Sequence, residues 1–141
     1  MNIRLVIDDW TTLREGAQAV RYEVFVLEQS VPLEMEWDEM DPLCVHAVAY
    51  DDEGTAIATG RLLPDGHVGR MAVLKTARGQ GIGGKILRAL MTEARRRGDS
   101  AIILNAQTHA EPFYLHHGFV REGEEFMEAG IAHIQMRYVF D

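Results

Sequence analysis

Four glycines lie within six residues in the stretch 78–84, which reads RGQGIGG. Glycine costs a helix about 1 kcal/mol relative to alanine, so four of them at the start of a helical pattern require a reason. The backbone N–H groups at a helix N-terminus, backed by the helix dipole, bind anions when no side chain covers them. We therefore predict a phosphate or pyrophosphate site here, since a turn that needs only positive φ angles would be satisfied by one or two glycines.

This stretch joins a predicted strand to a predicted helix. Residues His67–Leu74 form a short apolar run that is typical of a strand. After the turn Arg78–Gly84, apolar side chains recur at helical spacing as far as Gly98, which can adopt the left-handed conformation that closes a helix. These apolar side chains are Ile82, Ile86, Leu87, Leu90, Met91 and Ala94. The anion site would therefore lie where the strand passes into the N-terminus of the helix.

Two nucleotide-binding motifs fit the stretch incompletely. Gly79, Gly81 and Gly84 match G-x-G-x-x-G, but the next predicted strand, Ala101–Gln107, does not end in the acidic residue that would bind a ribose. A P-loop requires Ser or Thr where Ile86 stands, because that hydroxyl binds magnesium. We therefore set aside both dinucleotide binding and nucleoside triphosphate hydrolysis.

A third motif matches in full. Residues 78–83 fit R/Q-x-x-G-x-G/A, and residues 110–119, AEPFYLHHGF, fit A-x-x-F-Y-x-x-x-G-F after a predicted strand. Together with the flanking strand and helix, the two blocks resemble the acyl-coenzyme A signature of the GNAT superfamily of N-acetyltransferases. The resemblance covers about half of the chain.

The resemblance implies acetyl-CoA as co-substrate. Backbone N–H groups of Ile82, Gly83 and their neighbours would hold the pyrophosphate, and the central strand would pair with the pantetheine arm like an added strand. Tyr114 is the candidate general acid, because a phenol with a pKa near 10 stays protonated at neutral pH. The predicted cofactor-binding residues are Met71, Ala72, Val73, Arg78, Gly79, Gln80, Gly81, Ile82, Gly83, Gly84, Asn105 and Tyr114.

The sequence says less about the acceptor substrate than about the acetyl donor. We expect a primary amine on a small molecule or a protein, contacted by Glu28, Gln29, His46 and His109, and no metal ion. Candidates for the general base are Glu28, His46, His109 and Glu128. Deprotonation through water would need none of them.

The N-terminal half narrows the resemblance. The motifs R-x-x-V-F-x-x-E-Q at residues 21–29 and E-x-D-x-x-D at residues 36–41, followed by His46, are similar to the ElaA/YjcF-like branch of the GNAT proteins. The same acids and residues 60–64, GRLLP, also resemble acyl-homoserine-lactone synthases, which are longer and have a less complete phosphate turn. Three functions therefore stay open: an N-acetyltransferase, which Tyr114 favours, a catalytically silent acyl-CoA-binding module, and autoinducer synthesis from an acyl donor and S-adenosylmethionine.

Length and composition set further limits. A chain of 141 residues with 47% hydrophobic content predicts a single domain, 1–141, with a substantial core. No stretch approaches the roughly 20 apolar residues of a membrane span, and the N-terminus lacks a signal-peptide pattern, so we expect a cytoplasmic protein without a membrane partner. The formal net charge of −8 opposes nucleic-acid binding and suits a cationic or amine substrate. The single cysteine excludes an internal disulfide, and a homodimer is compatible with the sequence.

The order of the predicted elements indicates an α/β fold with a mixed sheet and helices on both faces. Strands are predicted at 3–7, 44–50, 55–63, 67–74, 101–107, 119–127 and 131–140, and helices at 10–26, in the stretch that ends at 98, and at 111–117. The resemblance adds that the sheet is mostly antiparallel and splayed at its centre, before the strand Ala101–Gln107. The segment Glu28–Asp41 contains six acids and Trp37, and we expect either a solvated loop or a lid over a polar or cationic substrate.

Overall fold

The computed structural model of the protein describes residues 2–36 and 38–141, and its strands form one seven-stranded sheet. The strands are β1 (Arg4–Asp8), β2 (Val45–Tyr50), β3 (Ala56–Leu62), β4 (His67–Val73), β5 (Ala101–Gln107), β6 (Val120–Glu128) and β7 (Ile131–Val139). They lie in the order β1-β2-β3-β4-β5-β7-β6, and every neighbouring pair is antiparallel except the parallel pair of β4 and β5. The predicted mixed, mostly antiparallel sheet is confirmed.

Helices cover both faces of the sheet, as predicted. They are α1 (Trp10–Arg21), which continues as a π-helix (Tyr22–Glu28), α2 (Leu33–Glu36), α3 (Ile82–Arg96) and α4 (Glu111–His116). On one face, which we call the α1 face, Leu13 and Ala17 pack on Val48 of β2. On the opposite face, the α3 face, the larger core joins α3 to the central strands, and a Cβ atom at Gly60 would come within 2.9 Å of Ile86 Cγ2. Within the described residues, no helix combines the length and the apolar character needed to cross a membrane.

The two central strands separate soon after they meet. β4 and β5 are paired only at His67 with Ile103 and at Val68 with Leu104. No later described residue of β4 pairs with β5, so the strands diverge towards their C-terminal ends. We call the gap between residues 69–73 of β4 and residues 105–107 of β5 the fork. The predicted splay at the centre of the sheet is confirmed.

A β-bulge distorts β4 along the fork. Thr59 pairs with Ala72 and Arg61 with Gly69, so Gly60 of β3 lies opposite two residues, 70 and 71. Arg70 has a φ angle of 49°, which is uncommon for a residue other than glycine. Bulges of this kind redirect side chains near functional sites, and this one lies at the centre of the sheet.

Two segments differ from the sequence predictions. The helix predicted at 10–26 is α-helical only to Arg21, because Gln29 N–H bonds to the carbonyl of Val24, five residues earlier, at 3.0 Å. The spacing of apolar residues is too similar in the two helix types to locate this change. In the acid-rich segment, Glu36 and Asp41 are only 5% and 4% exposed, so neither a solvated loop nor a lid describes these two acids. Trp37 lies outside the described residues.

Candidate active site

The glycine-rich turn leads into the N-terminus of α3, as the sequence predicts. Gly79 and Gly81 have φ angles of 81° and 77°, in the left-handed region that glycine adopts without steric cost. Gly81 is the N-terminal capping residue of α3. A Cβ atom at either position would meet no atom of the described residues within 4 Å. The surroundings of both glycines are therefore open, and the first backbone N–H groups of α3, which lack acceptors within the helix, follow directly after them.

The other two glycines lie inside the first turn of α3 rather than in the loop. A Cβ atom at Gly83 would lie 3.5 Å from Val73 Cγ2 and 3.7 Å from Phe113 Cζ. At Gly84 it would lie 3.1 Å from an Arg88 nitrogen and 3.2 Å from His117 Nε2. A Cβ atom at Gly83 would make only ordinary contacts, whereas one at Gly84 would crowd the side chains of Arg88 and His117. The small size of Gly84 therefore serves packing, a role that the sequence did not distinguish from anion binding.

Arg78 contacts the π-helix with its side chain. Its guanidinium donates to the two carboxylate oxygens of Glu28 at 2.7 and 2.6 Å, and its Nε donates to the carbonyl of Val73 at 3.0 Å. The hydrogen bonds from Arg78 lower the pKa of Glu28, which is therefore a weak base at neutral pH. The Arg78 side chain thus ties the end of the π-helix to the end of β4.

A second contact closes the wide end of the fork. The side-chain amides of Gln29 and Gln107 donate to each other, with Nε2–Oε1 distances of 3.1 and 2.9 Å. Because Gln29 follows Glu28, two consecutive side chains connect to the two sides of the fork, one through Arg78 and one through Gln107. We call these four residues the bridge, and it holds the ends of β4 and β5 relative to each other.

Tyr114 projects from α4 towards the bulge of β4. Its hydroxyl lies 3.8 Å from the Met71 sulfur, which is a weak acceptor, so it is available to a stronger one. Its ring packs edge-on against Phe113 and Phe119, with ring centroids 5.0 and 5.9 Å away. Burial raises the pKa of Tyr114 to about 12. The phenol therefore stays protonated at neutral pH beside the fork, on the α3 face.

The sequence model of the acetyltransferase (GNAT) domain family matches residues 12–140 of the chain. The chain belongs to the GNAT family. It is 48% identical over 120 residues to the uncharacterised N-acetyltransferase YjcF of Bacillus subtilis, a match that covers 83% of this chain and 86% of YjcF. Two solved structures each cover 96% of this chain, and the match spans 99% of each of them. They are an acyl-CoA N-acyltransferase from Pseudomonas aeruginosa, with a TM-score of 0.86 at 32% identity, and Escherichia coli ElaA, with a TM-score of 0.85 at 25% identity.

These matches confirm the GNAT family and the ElaA/YjcF-like branch that the sequence predicts. The general reaction of GNAT proteins is the transfer of an acetyl group from acetyl-CoA to an amine. In this GNAT chain, the fork and the turn after β4 bring together most of the predicted site residues. These are Glu28, Gln29, Met71, Val73, Arg78, Gly79, Gln80, Gly81, Ile82, Gly83, Asn105 and Tyr114. Ala72 instead packs its side chain against Val20 and Val24 of the N-terminal helix, on the α1 face.

The remaining candidates for substrate contact or for the general base lie in different surroundings. His46 is 1% exposed, with its Nε2 2.9 Å from the Asp41 carbonyl oxygen, and burial lowers its pKa. It is therefore enclosed under α1, away from solvent. His109 is exposed in the turn after β5. Glu128 lies at the end of β6, 3.7 Å from His133 Nε2.

Sequence reasoning missed a buried group of ion pairs on the α1 face of this GNAT fold. Arg21 donates to Glu36 at 2.5 Å and to both carboxylate oxygens of Asp41 at 2.9 Å. Arg61 donates to Asp41 at 2.8 Å and to Asp38 at 2.6 Å, and Arg70 donates to Asp38 at 3.2 Å. We call these six residues the ion-pair cluster. The residue that could have indicated this cluster from the sequence is Arg61, a charge within the otherwise apolar run of β3. Buried charges are retained only when they are paired, so a charged partner could have been expected.

Proposed function

We propose that the chain transfers an acetyl group from acetyl-CoA directly to a primary amine, with Tyr114 as general acid. The observation that carries this proposal is the fork, which has the Tyr114 hydroxyl on its α3 face and the open N-terminus of α3 just beyond β4. Direct transfer requires both substrates at one point in a defined orientation. A gap through the sheet would give each substrate its own face, the donor on the α3 face and the amine on the α1 face.

The donor would be held by backbone groups. N–H groups of Ile82, Gly83 and their neighbours would bind the pyrophosphate at the positive end of α3. The edge of β4 at Met71–Val73, which has no pairing to β5 among the described residues, would bond to the pantetheine arm as an added strand does. This places the thioester beside the bulge and the Tyr114 hydroxyl.

The chemistry then needs two proton transfers. The neutral amine attacks the thioester carbonyl carbon and forms the C–N bond. As the tetrahedral intermediate breaks its C–S bond, Tyr114 donates its proton to the departing sulfur. Water takes the proton from the new amide nitrogen, and the phenolate recovers a proton from water. Glu28 is a poor candidate for the base, because its hydrogen bonds with Arg78 lower its pKa.

Acetyl-CoA is expected to raise the melting temperature, while NAD and ATP at the same concentration should raise it much less. A ligand that binds only the folded state stabilises it by about 2.7 kcal/mol at 100 times its dissociation constant. Equal shifts from NAD would contradict the acyl-CoA assignment. Release of free thiol with a panel of amines then tests the enzyme, because a silent acyl-CoA-binding module would show the shift without turnover.

Gly81→Ala is expected to weaken acetyl-CoA binding by about tenfold or more, or at least 1.4 kcal/mol, because its Cβ atom would enter the space in front of α3. Gly54→Ala is a matched control, since Gly54 has a φ angle of 79° and equally open surroundings in the turn between β2 and β3. Both variants should lose roughly 1–3 kcal/mol of stability from the strained backbone. Calorimetric titration with acetyl-CoA measures the difference. Equal affinities of the two variants for acetyl-CoA would contradict the proposal that this turn binds an anion.

A further inference from the structure

Among the described residues, the α1 face has an unfilled space at the narrow end of the fork. Gly69 is the first residue of β4 beyond the two pairs with β5, and it pairs with Arg61 of β3 on its other side. A Cβ atom at Gly69 would find one atom of the described residues within 4 Å, Arg61 Nε at 3.9 Å. The missing side chain therefore leaves room directly beside that guanidinium.

Arg61 presents an unsatisfied donor to this space. The residue is 7% exposed, and its two terminal nitrogens bond to Asp41 and Asp38. Its Nε is buried and has no hydrogen-bond partner among the described residues. A buried N–H without a partner destabilises the folded state, and native proteins rarely keep one. An oxygen placed over Gly69 would satisfy it.

Two more polar groups border the same space. Arg70, the next residue, bonds to Asp38 at 3.2 Å and lies 3.9 Å from Glu36, and its side chain is 25% exposed. Asn105 stands across the fork, one residue beyond the Val68–Leu104 pair, with an exposed side chain on the α1 face. The three arginines and three carboxylates of the ion-pair cluster balance in charge, so the cluster can accept a neutral carbonyl oxygen. The partly exposed Arg70 can also pair with a carboxylate.

We infer that this space binds an oxygen of the acceptor, so that the acceptor is an α-amino acid or its amide rather than a plain alkylamine. The inference rests on the proposed function, which brings the amine to the bulge from the α1 face. Gly69 lies two residues before Met71, and because residues 70 and 71 share one position of the bulge, the two are less than about 7 Å apart along the strand. An oxygen held over Gly69 by Arg61, Arg70 and Asn105 would leave the α-amine of the same molecule directed towards the thioester. The shared chemistry is a carbonyl or carboxylate on the carbon next to the amine.

The test uses matched sets of three acceptors that differ at one group: leucine, leucinamide and 3-methylbutylamine, with the corresponding sets from alanine and phenylalanine. We expect the acid or the amide to exceed its alkylamine by about tenfold or more in at least one set, because the site would otherwise leave Arg61 Nε unpaired. The kcat/KM values are compared per concentration of neutral amine, because the three compounds of a set differ in amine basicity. Calorimetric titration of the same compounds into the CoA complex gives a readout that does not depend on turnover. The more active of acid and amide identifies which oxygen group the site takes.

Gly69→Ala supplies the structural control. Its new Cβ atom would make only an ordinary contact with Arg61 but would occupy the space, so the preference over the alkylamine should disappear while the acetyl-CoA dissociation constant stays unchanged. Alkylamines that equal the acid and amide in rate and binding would overturn the inference, as would absence of binding by acid and amide alike. Neither result touches the proposed function, which fails only if acetyl-CoA does not bind or no amine releases thiol.

Discussion

Tyr114→Phe is expected to lower the turnover number by about 10²- to 10⁴-fold with acetyl-CoA and any accepted amine, the range typical of general acid catalysis. The substitution removes the hydroxyl beside Met71 and keeps the ring that packs on Phe113 and Phe119, so stability should change little. The dissociation constant of acetyl-CoA should also be nearly unchanged, because the hydroxyl acts when charge develops on sulfur. Steady-state thiol release and calorimetric titration measure the two quantities.

The raised pKa of Tyr114 gives this prediction a pH signature. A general acid must be protonated, and Tyr114 loses its proton only as the pH rises through about 12. Deprotonation of Tyr114 should therefore cause no decline in turnover between about pH 9 and pH 11, the range in which a phenol with the ordinary pKa near 10 would lose its proton. A loss of about tenfold or less in Tyr114→Phe would mean that water can supply the proton. An unaltered turnover number would remove Tyr114 from the mechanism and leave His109 as the next acid to test.

The parts of the site that the sequence could predict are local in the chain. The turn before α3 needs left-handed residues at particular positions, and Gly79 and Gly81, two residues apart, supply them. Tyr114 lies in the short helix α4, which directly follows β5. Its position beside the central strands therefore depends only on the turn between β5 and α4. Side-chain type and spacing carry this information, which is why the glycine-rich turn and the α4 segment could be placed before the fold was known.

The parts that escaped prediction depend on contacts between distant segments. Arg78 and Glu28 are 50 residues apart, and Gln29 and Gln107 are 78 apart. Neither pairing has a periodic signal, because one charge or amide on a surface segment fits many partners equally well. The acid-rich segment 28–41 was mispredicted for the same reason. Its composition is that of a solvated loop, and its burial depends on arginines of β3 and β4 that are distant in the sequence.

Asp41→Asn is expected to lower the free energy of unfolding by about 3–5 kcal/mol, the usual cost of removing one partner from a buried ion pair. Asp41 is 4% exposed and accepts hydrogen bonds from both Arg21 and Arg61. The amide keeps the shape but removes the charge, which leaves the three guanidinium groups of the cluster with only Glu36 and Asp38 to balance them. For a chain of this size the melting temperature should fall by roughly 10 °C or more. Urea unfolding measures the free energy.

Glu93→Gln is the matched control for this effect. Glu93 also pairs with an arginine, Arg96, but on the exposed surface of α3, so the same change of chemistry should leave the unfolding curve nearly unaltered. Acid unfolding of the wild-type protein is a second test of the stability that the ion-pair cluster provides. Burial opposes ionisation of Asp38, but hydrogen bonds from the Met40 N–H and from Arg61 outweigh it and lower its pKa to about 2. The stabilisation from this carboxylate is therefore complete above about pH 4, near the unfolded pKa, and is lost as the pH falls through 2. If Asp41→Asn and Glu93→Gln unfolded alike, the guanidinium groups left by Asp41→Asn would be compensated without that carboxylate, and the predicted cost of an unpaired buried charge would be wrong.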